Sequence, residues 1–202
     1  MIHFHTKIIL ASASPRRRAL LRSAGVRFTV SGSRLDEDRY TSLHGQREPS
    51  ELAVSLACAK ARDAGLRTRG DRVIVAADTV VVMGDKVIGK PRDKRHARRI
   101  LRLLSGKTHT VITGVCLLEM PEGTSHSFSV ATNVTMLPMT DADIRWYIGT
   151  GEPMDKAGAY GIQGLGGLFV GKISGSYTNV VGLPLAELFE ALRGLGAIEI
   201  TA

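Results

Sequence analysis

The sequence predicts an α/β or α+β domain built around a mixed sheet. Short β-branched or apolar runs alternate with segments whose apolar residues recur at helical spacing. Helix-length segments separate several of the strands, so crossover connections are required. A Gly84-Asp85 turn between two apolar runs adds a hairpin. No repeat, low-complexity linker or convincing boundary divides the chain, so one domain over residues 1–202 is expected.

The elements follow in order. Lys7 to Ser12 is an apolar strand. Ser14 suits a helix N-cap and Pro15 the first helical position, and Gly25 closes that helix after Ala24. Arg27 to Ser31 alternates as a second strand. Ser33 to Glu48 is polar and weakly periodic and is expected to be an irregular loop. Ser50 to Ala64 places Leu52, Leu56 and Ala59 at helical spacing, with Gly65 ending the helix. Arg72 to Met83 is strongly β-branched and turns through Gly84-Asp85 into Lys86-Val87-Ile88. Asp93 caps a helix that runs to Ser105 and stops at Gly106. Two long strands, Thr108 to Leu118 and Ser127 to Leu137, precede a helix capped by Thr140 and running through Ile148. Short strands are expected in the glycine-rich stretch from Gly158 to Gly182, then a last helix from Leu183 to Arg193.

At 202 residues and 44% hydrophobic, the chain can bury one core, or two lobes that share it. Lys plus Arg number 27 against 19 Asp plus Glu, a net charge of +8 that favours an anionic partner without naming it. Cys58 and Cys116 lie in apolar segments with no metal-type spacing, which argues against a disulfide framework and for a reduced, cytoplasmic setting. Residues 1–7 lack the features of a signal peptide and no apolar run is long enough to span a bilayer, so no membrane partner is expected. Aromatics make up only 5% of the chain, which argues against a stacking platform for nucleic acid, despite the basic helix around Lys94 to Arg102.

The chemistry concentrates in a few places. The strand Ile8-Ile9-Leu10-Ala11 empties into Ser12 and Ser14, then Pro15 and three arginines at a helix N-terminus. Cations are mildly unfavourable there, so an anion, a phosphate above all, should offset them. Asp78 interrupts an otherwise apolar strand, where a carboxylate must be paired, hydrogen-bonded or metal-bound. Lys90 lies across the same hairpin. With a two-residue turn it opposes Thr79 and faces away from Asp78, so a shared face requires a longer turn or a bulge. Lys60 either snorkels to water or points at an anion. The trio Asp36-Glu37-Asp38 is a solvated loop face unless something else engages it. The run Gly161 to Gly167 fits neither common phosphate-loop pattern, and its glycines allow close approach to a flat ligand or simply tight turns. Within it Gln163 can read a base edge or serve the turn. His3 and His5 alternate like a strand-borne metal pair, but at an end expected to be loose.

Taken together, Leu10-Ala11-Ser12-Ala13-Ser14-Pro15-Arg16-Arg17, Ala77-Asp78-Thr79-Val80-Val81, Gly89-Lys90-Pro91, Leu104-Ser105-Gly106, residues 155–164 and Val180-Val181-Gly182-Leu183-Pro184-Leu185 resemble the Maf proteins in order and spacing. The resemblance runs from about Lys7 to Arg193. It implies a nucleoside triphosphate pyrophosphatase with an elongated, twisted mixed sheet flanked by helices around a central cleft, similar to inosine triphosphate pyrophosphatases. It implies a divalent metal, Mg2+ or Mn2+, and is compatible with a homodimer. Asp78 then falls on the proton acceptor, Arg16, Thr79 and Gln163 on specificity positions, and Ser12, Glu37, Lys60 and Lys90 on further polar positions. On that footing Lys60, Lys90, Arg16 and the adjacent Arg17 neutralise the triphosphate, while Glu37 and Asp78 hold the metal and orient water. Arg16, Thr79 and Gln163 resemble the dTTP/UTP-directed members, and 7-methyl-GTP-directed members typically carry tryptophan at the position of Arg16. The alternatives are a 7-methyl-GTP-type or broader pyrophosphatase, and a regulator of division or septum formation without catalysis.

Overall fold

The computed structural model describes residues 1–45 and 47–201. In chain order the elements are β1 (Ile2–Phe4), β2 (Lys7–Leu10), α1 (Pro15–Ser23), β3 (Phe28–Val30), α2 (Glu37–His44), α3 (Pro49–Gly65), β4 (Arg72–Met83) and β5 (Lys86–Ile88). There follow α4 (Lys94–Leu104), β6 (Thr108–Met120), β7 (Ser125–Met136), α5 (Asp141–Gly149), β8 (Val170–Ser174), α6 (Tyr177–Val181), α7 (Leu185–Gly194) and β9 (Ile198–Ile200). Three 3-10 turns, Glu152–Asp155, Ala157–Ala159 and Leu165–Phe169, stand between α5 and β8. The principal sheet is mixed, with strand order β3-β2-β4-β6-β7-β8 and β5 paired to β4. No helix among the described residues is long and apolar enough to cross a membrane.

The described residues form two compact units. The first draws on Met1–Asp78, Thr113–Val130 and Gly182–Ala202, the second on Thr79–Ile112 and Ala131–Val181. In the first unit β2 runs parallel to both β3 and β4, with Leu10 opposite Val30 on one side and Val75 on the other. Each parallel pairing needs a helical crossover, which α1 and α3 supply. The apolar side of α3, Ala57, Ala61 and Ala64, packs on Ile9, Ile74, Ala76, Cys116 and Leu118. Small residues allow this close approach, and Gly114 on β6 is part of the reason. A side chain there would collide with the α3 backbone at Ala53 and Val54. Cys58 and Cys116 are free thiols, Cys116 buried and Cys58 partly so.

The second unit is antiparallel where its pairing is resolved, with β5 on β4 and β8 on β7. Its core gathers Val81, Ile88, Ile100, Leu101, Leu104, Ile144, Tyr147 and Tyr160. The expected caps are in place. Asp93 accepts from the His96 amide at 2.6 Å, and Thr140 forms a reciprocal capping box with Asp143. Arg98 and Arg102 of the basic α4 bind the Asp141 carboxylate.

Three expectations need correction. Residues 37–44 form a helix rather than part of an irregular loop. Asp36 caps it by accepting from Arg39 N at 3.0 Å, and Glu37 and Asp38 favour its N-terminal dipole. It buries no residue, so it carries no apolar periodicity to betray it. The first strand is not loose, because Ile2, His3 and Phe4 pair antiparallel with Ile200, Glu199 and Ile198. And the glycine-rich stretch holds one strand, β8, the helix α6 and 3-10 turns rather than several strands.

Candidate active site

In the first unit the N-terminus of α1 is built as its sequence dictates. The Ser14 hydroxyl accepts from Arg17 N at 3.5 Å, and Pro15 takes the first helical position. No acidic residue enters that first turn, which carries Arg16, Arg17 and Arg18 instead. Ser12, 7% exposed at the mouth of β2, accepts from Ser14 N at 3.2 Å and from Arg17 Nη1 at 3.4 Å. Arg17 Nε also donates to the Gly182 carbonyl at 2.7 Å, which fixes the guanidinium on the helix end. Burial lowers the Arg17 pKa from its ordinary value, the negative charges of Asp78 and Glu37 resist that fall, and Arg16 adds to it. Part of the anionic offset expected at this helix end is therefore supplied by the protein itself.

Those carboxylates meet on one cation. Lys60, only 5% exposed on α3, brings its Nζ to 2.5 Å from Asp78 Oδ1 and 2.8 Å from Glu37 Oε1. Asp78 is 8% exposed within β4, while the Glu37 side chain is about half exposed at the start of α2. The unusual carboxylate of the apolar strand is thus paired. Lys60 does not snorkel, and of its two expected fates the structure shows the anion-directed one, with both anions internal to the protein. Breaking such a pair strands a buried charge, so the geometry is strongly held.

The same convergence decides whether a divalent cation fits. Among the described residues no group of three or more His, Cys, Asp or Glu could hold a metal ion. Glu37 and Asp78 nevertheless reach a single cationic centre, and Mg2+ is commonly held by one or two carboxylates with substrate phosphates completing the shell. The pair therefore fits a metal that arrives with a polyphosphate. It does not form a closed protein site. His5 pairs instead with Glu199 at 3.3 Å across the terminal strand pair.

In the second unit, Thr79 follows Asp78 on β4 and is half-buried. The hairpin register, Met83 opposite Lys86 and Val81 opposite Ile88, is that of a two-residue Gly84-Asp85 turn, with Gly84 at φ +58°. The longer turn or bulge required for a shared face with Asp78 is absent. A left-handed glycine gives the tight turn its twist, and the pairing ends at Ile88. Lys90 lies beyond the ladder on an exposed stretch, next to Gly89, whose carbonyl accepts from Gly158 N at 3.3 Å.

Gln163 is exposed in the turn after Gly161. The surrounding glycines make room for the protein's own side chains. A Cβ on Gly164 would run into the Glu152 carboxylate, one on Gly166 into the Tyr147 hydroxyl, and one on Gly161 would lie 2.6 Å from Lys156 Cε. Glu152 itself accepts from Tyr147 Oη at 2.8 Å, Leu165 N at 2.8 Å and Gly166 N at 3.1 Å. Tyr147 Oη in turn accepts from Gly161 N at 3.1 Å. Burial raises the Glu152 pKa, but the Tyr147 hydroxyl, the Gly166 and Leu165 amides and the Lys156 charge together leave it below the ordinary carboxylate value. Sequence reasoning named neither Glu152 nor Tyr147. A glutamate after Gly151 and before Pro153 looks like any polar loop residue, and the available signal was the run of glycines needing something to pack against.

The family model described as Maf-like protein matches residues 7–195. A dTTP/UTP pyrophosphatase of Carboxydothermus hydrogenoformans is 49% identical over 190 residues, covering 94% of this chain and 99% of that protein. Another of Shigella dysenteriae serotype 1 is 47% identical over 199 residues, covering 96% and 95%. Among solved structures, a HAM1 protein from Coxiella burnetii is 18% identical with a TM-score of 0.42, covering 65% of this chain and 73% of that one. Matched by the family model over almost its whole length, this chain belongs to the Maf family.

Proposed function

We propose that this chain hydrolyses dTTP and UTP between the α- and β-phosphates, leaving the nucleoside monophosphate and pyrophosphate. The observation that carries the reading is Asp78, a carboxylate held in an apolar strand by an ammonium that also binds Glu37. The substrate follows from the relatives, which are named dTTP/UTP pyrophosphatases and align over nearly the full chain.

Each role then has a physical basis. Asp78 accepts the proton of the attacking water. Lys60 holds its Oδ1, so Oδ2 is the oxygen assigned to that proton. The N-terminus of α1, with Ser12, Arg16 and Arg17, takes phosphate oxygens, where free amides and the helix dipole favour negative charge. Lys90 is exposed beyond the end of the hairpin ladder, where strand alternation no longer sets its direction. With Lys60, which stays with Asp78 and Glu37, it offsets charge that builds on the leaving pyrophosphate. Thr79 and Gln163 select the base, the glutamine amide matching the O4 and N3–H edge that thymine and uracil share. Glu37 and Asp78 are the residues that would hold Mg2+ or Mn2+. A bound divalent ion supplies charge neutralisation on the phosphates and a more acidic water. A nucleoside triphosphate substrate fits a cytoplasmic location.

The test is pyrophosphate release from dTTP, UTP, CTP, GTP, ITP and 7-methyl-GTP with Mg2+ or Mn2+, alongside Asp78→Asn. Release is expected from dTTP and UTP, with a loss of about 10²–10⁴-fold in kcat for the variant. Preference for 7-methyl-GTP or CTP would keep the reaction and overturn the substrate, and no release from any nucleotide would overturn the enzyme.

A further inference from the structure

We propose that Glu152 is a positioning residue for nucleobase selection, because it fixes the turn that carries Gln163. This rests on the reading of Gln163 as a base-selecting residue.

One carboxylate receives three donors from two directions. Oε1 takes the Tyr147 hydroxyl and the Gly166 amide, and Oε2 takes the Leu165 amide. Leu165 and Gly166 follow Gln163 by two and three residues. On the other side, Gly161 donates to the Tyr147 hydroxyl, which is itself bonded to Glu152. The turn is thus clamped on both flanks of Gln163 by a single bonded pair. Tyr147 is fully buried in the core of the second unit, so the clamp is anchored to rigid packing. Glu152 is held at its backbone as well, where Lys156 Nζ donates to its carbonyl at 2.6 Å.

Gln163 is exposed, so its own packing does not fix where its amide points. A side chain that pairs donor and acceptor with a base edge must be held within a fraction of an ångström to discriminate. The backbone on either side therefore carries that precision, and Glu152 is the group both sides share. Glutamine at position 152 keeps the shape but has one acceptor oxygen and a donating NH2 group. Whichever way it is turned, at least one loop amide loses its acceptor.

The experiment is steady-state kinetics of Glu152→Gln, Tyr147→Phe and Gln163→Ala on dTTP and CTP, with thermal unfolding of each variant. For Glu152→Gln the dTTP-to-CTP ratio of kcat/KM should fall about tenfold, the equivalent of one lost hydrogen bond, chiefly through a raised KM for dTTP. Tyr147→Phe removes one donor and the Gly161 acceptor, so it should shift the same ratio in the same direction while keeping the ring in the core. Gln163→Ala should collapse the ratio outright. A Glu152→Gln enzyme that loses dTTP and CTP turnover in equal measure, or keeps the ratio, overturns the positioning role while Gln163→Ala still collapses it. If Gln163→Ala leaves the ratio intact, base reading by Gln163 fails, and this inference fails with it.

Discussion

The two units hold their candidate functional residues by different physics. In the first, Lys60 draws Glu37 and Asp78 to one ammonium, and the same two charges act on Arg17. In the second, a carboxylate and a phenol hold backbone amides around a turn whose glycines leave no spare volume. An arriving polyanion or cation acts directly on the charges of the first. The amides that Glu152 holds carry no net charge, so that turn suits recognition of shape better than exchange of charge.

The largest effect expected from breaking the first arrangement comes from Lys60→Met. It leaves Asp78 as a buried charge without its ammonium, which should cost about 3 kcal/mol of stability in urea unfolding. A loss below about 0.5 kcal/mol would mean that Arg17 already balances the carboxylates, and the contrast between the units would weaken.

Gly164→Ala strikes the second arrangement. The added methyl meets the Glu152 carboxylate, and the clamp must open or the turn must move. We expect about 1–3 kcal/mol of destabilisation, read as a lower Tm, because overpacking forces shifts that close-packed surroundings resist. Unchanged Tm and unchanged kinetics would show that the turn has room after all.

How much of this was legible in the sequence depends on which forces leave local traces. Ser14, Asp93 and Thr140 were readable as caps because each acts within three residues of itself. Asp78 was readable as a paired group because an apolar strand makes a lone carboxylate costly, although its partner 18 residues away was not. Helix α2 left only a cap and an acidic first turn, and β1 finds β9 at the far end of the chain, where no local signal joins them. The Glu152 clamp was invisible for the same reason, since its donors at 147, 165 and 166 meet only once the second unit has folded. Lys90 shows the reverse case. The sequence left two turn lengths open and a shared site asked for the longer; the structure takes the two-residue turn, and pairing stops before the ladder can dictate which way Lys90 faces.

A further expected effect sharpens the contrast through pH. His109 in the second unit is 2% exposed, with Nε2 at 2.8 Å from Tyr160 Oη, and burial lowers its pKa to about 4. A folded-state value below the unfolded one means that the unfolded chain takes up the proton first as pH falls. Stability should be full above about pH 6.5, decline towards pH 4 and then level off. Near pH 5 the loss is about 2 kcal/mol. His109→Gln should flatten that slope in urea titrations between pH 6.5 and 4. A slope that persists would assign the acid sensitivity to other groups.

The closed packing around Gly161, Gly164 and Gly166 also limits how this protein can be redesigned. A library randomised across the whole turn would spend most of its members on side chains that collide with Lys156, Glu152 or Tyr147. Position 163 is exposed and is not one of the glycines whose Cβ would collide. New base preferences are therefore reached most economically by single changes at that site, with the framework around it left as it is.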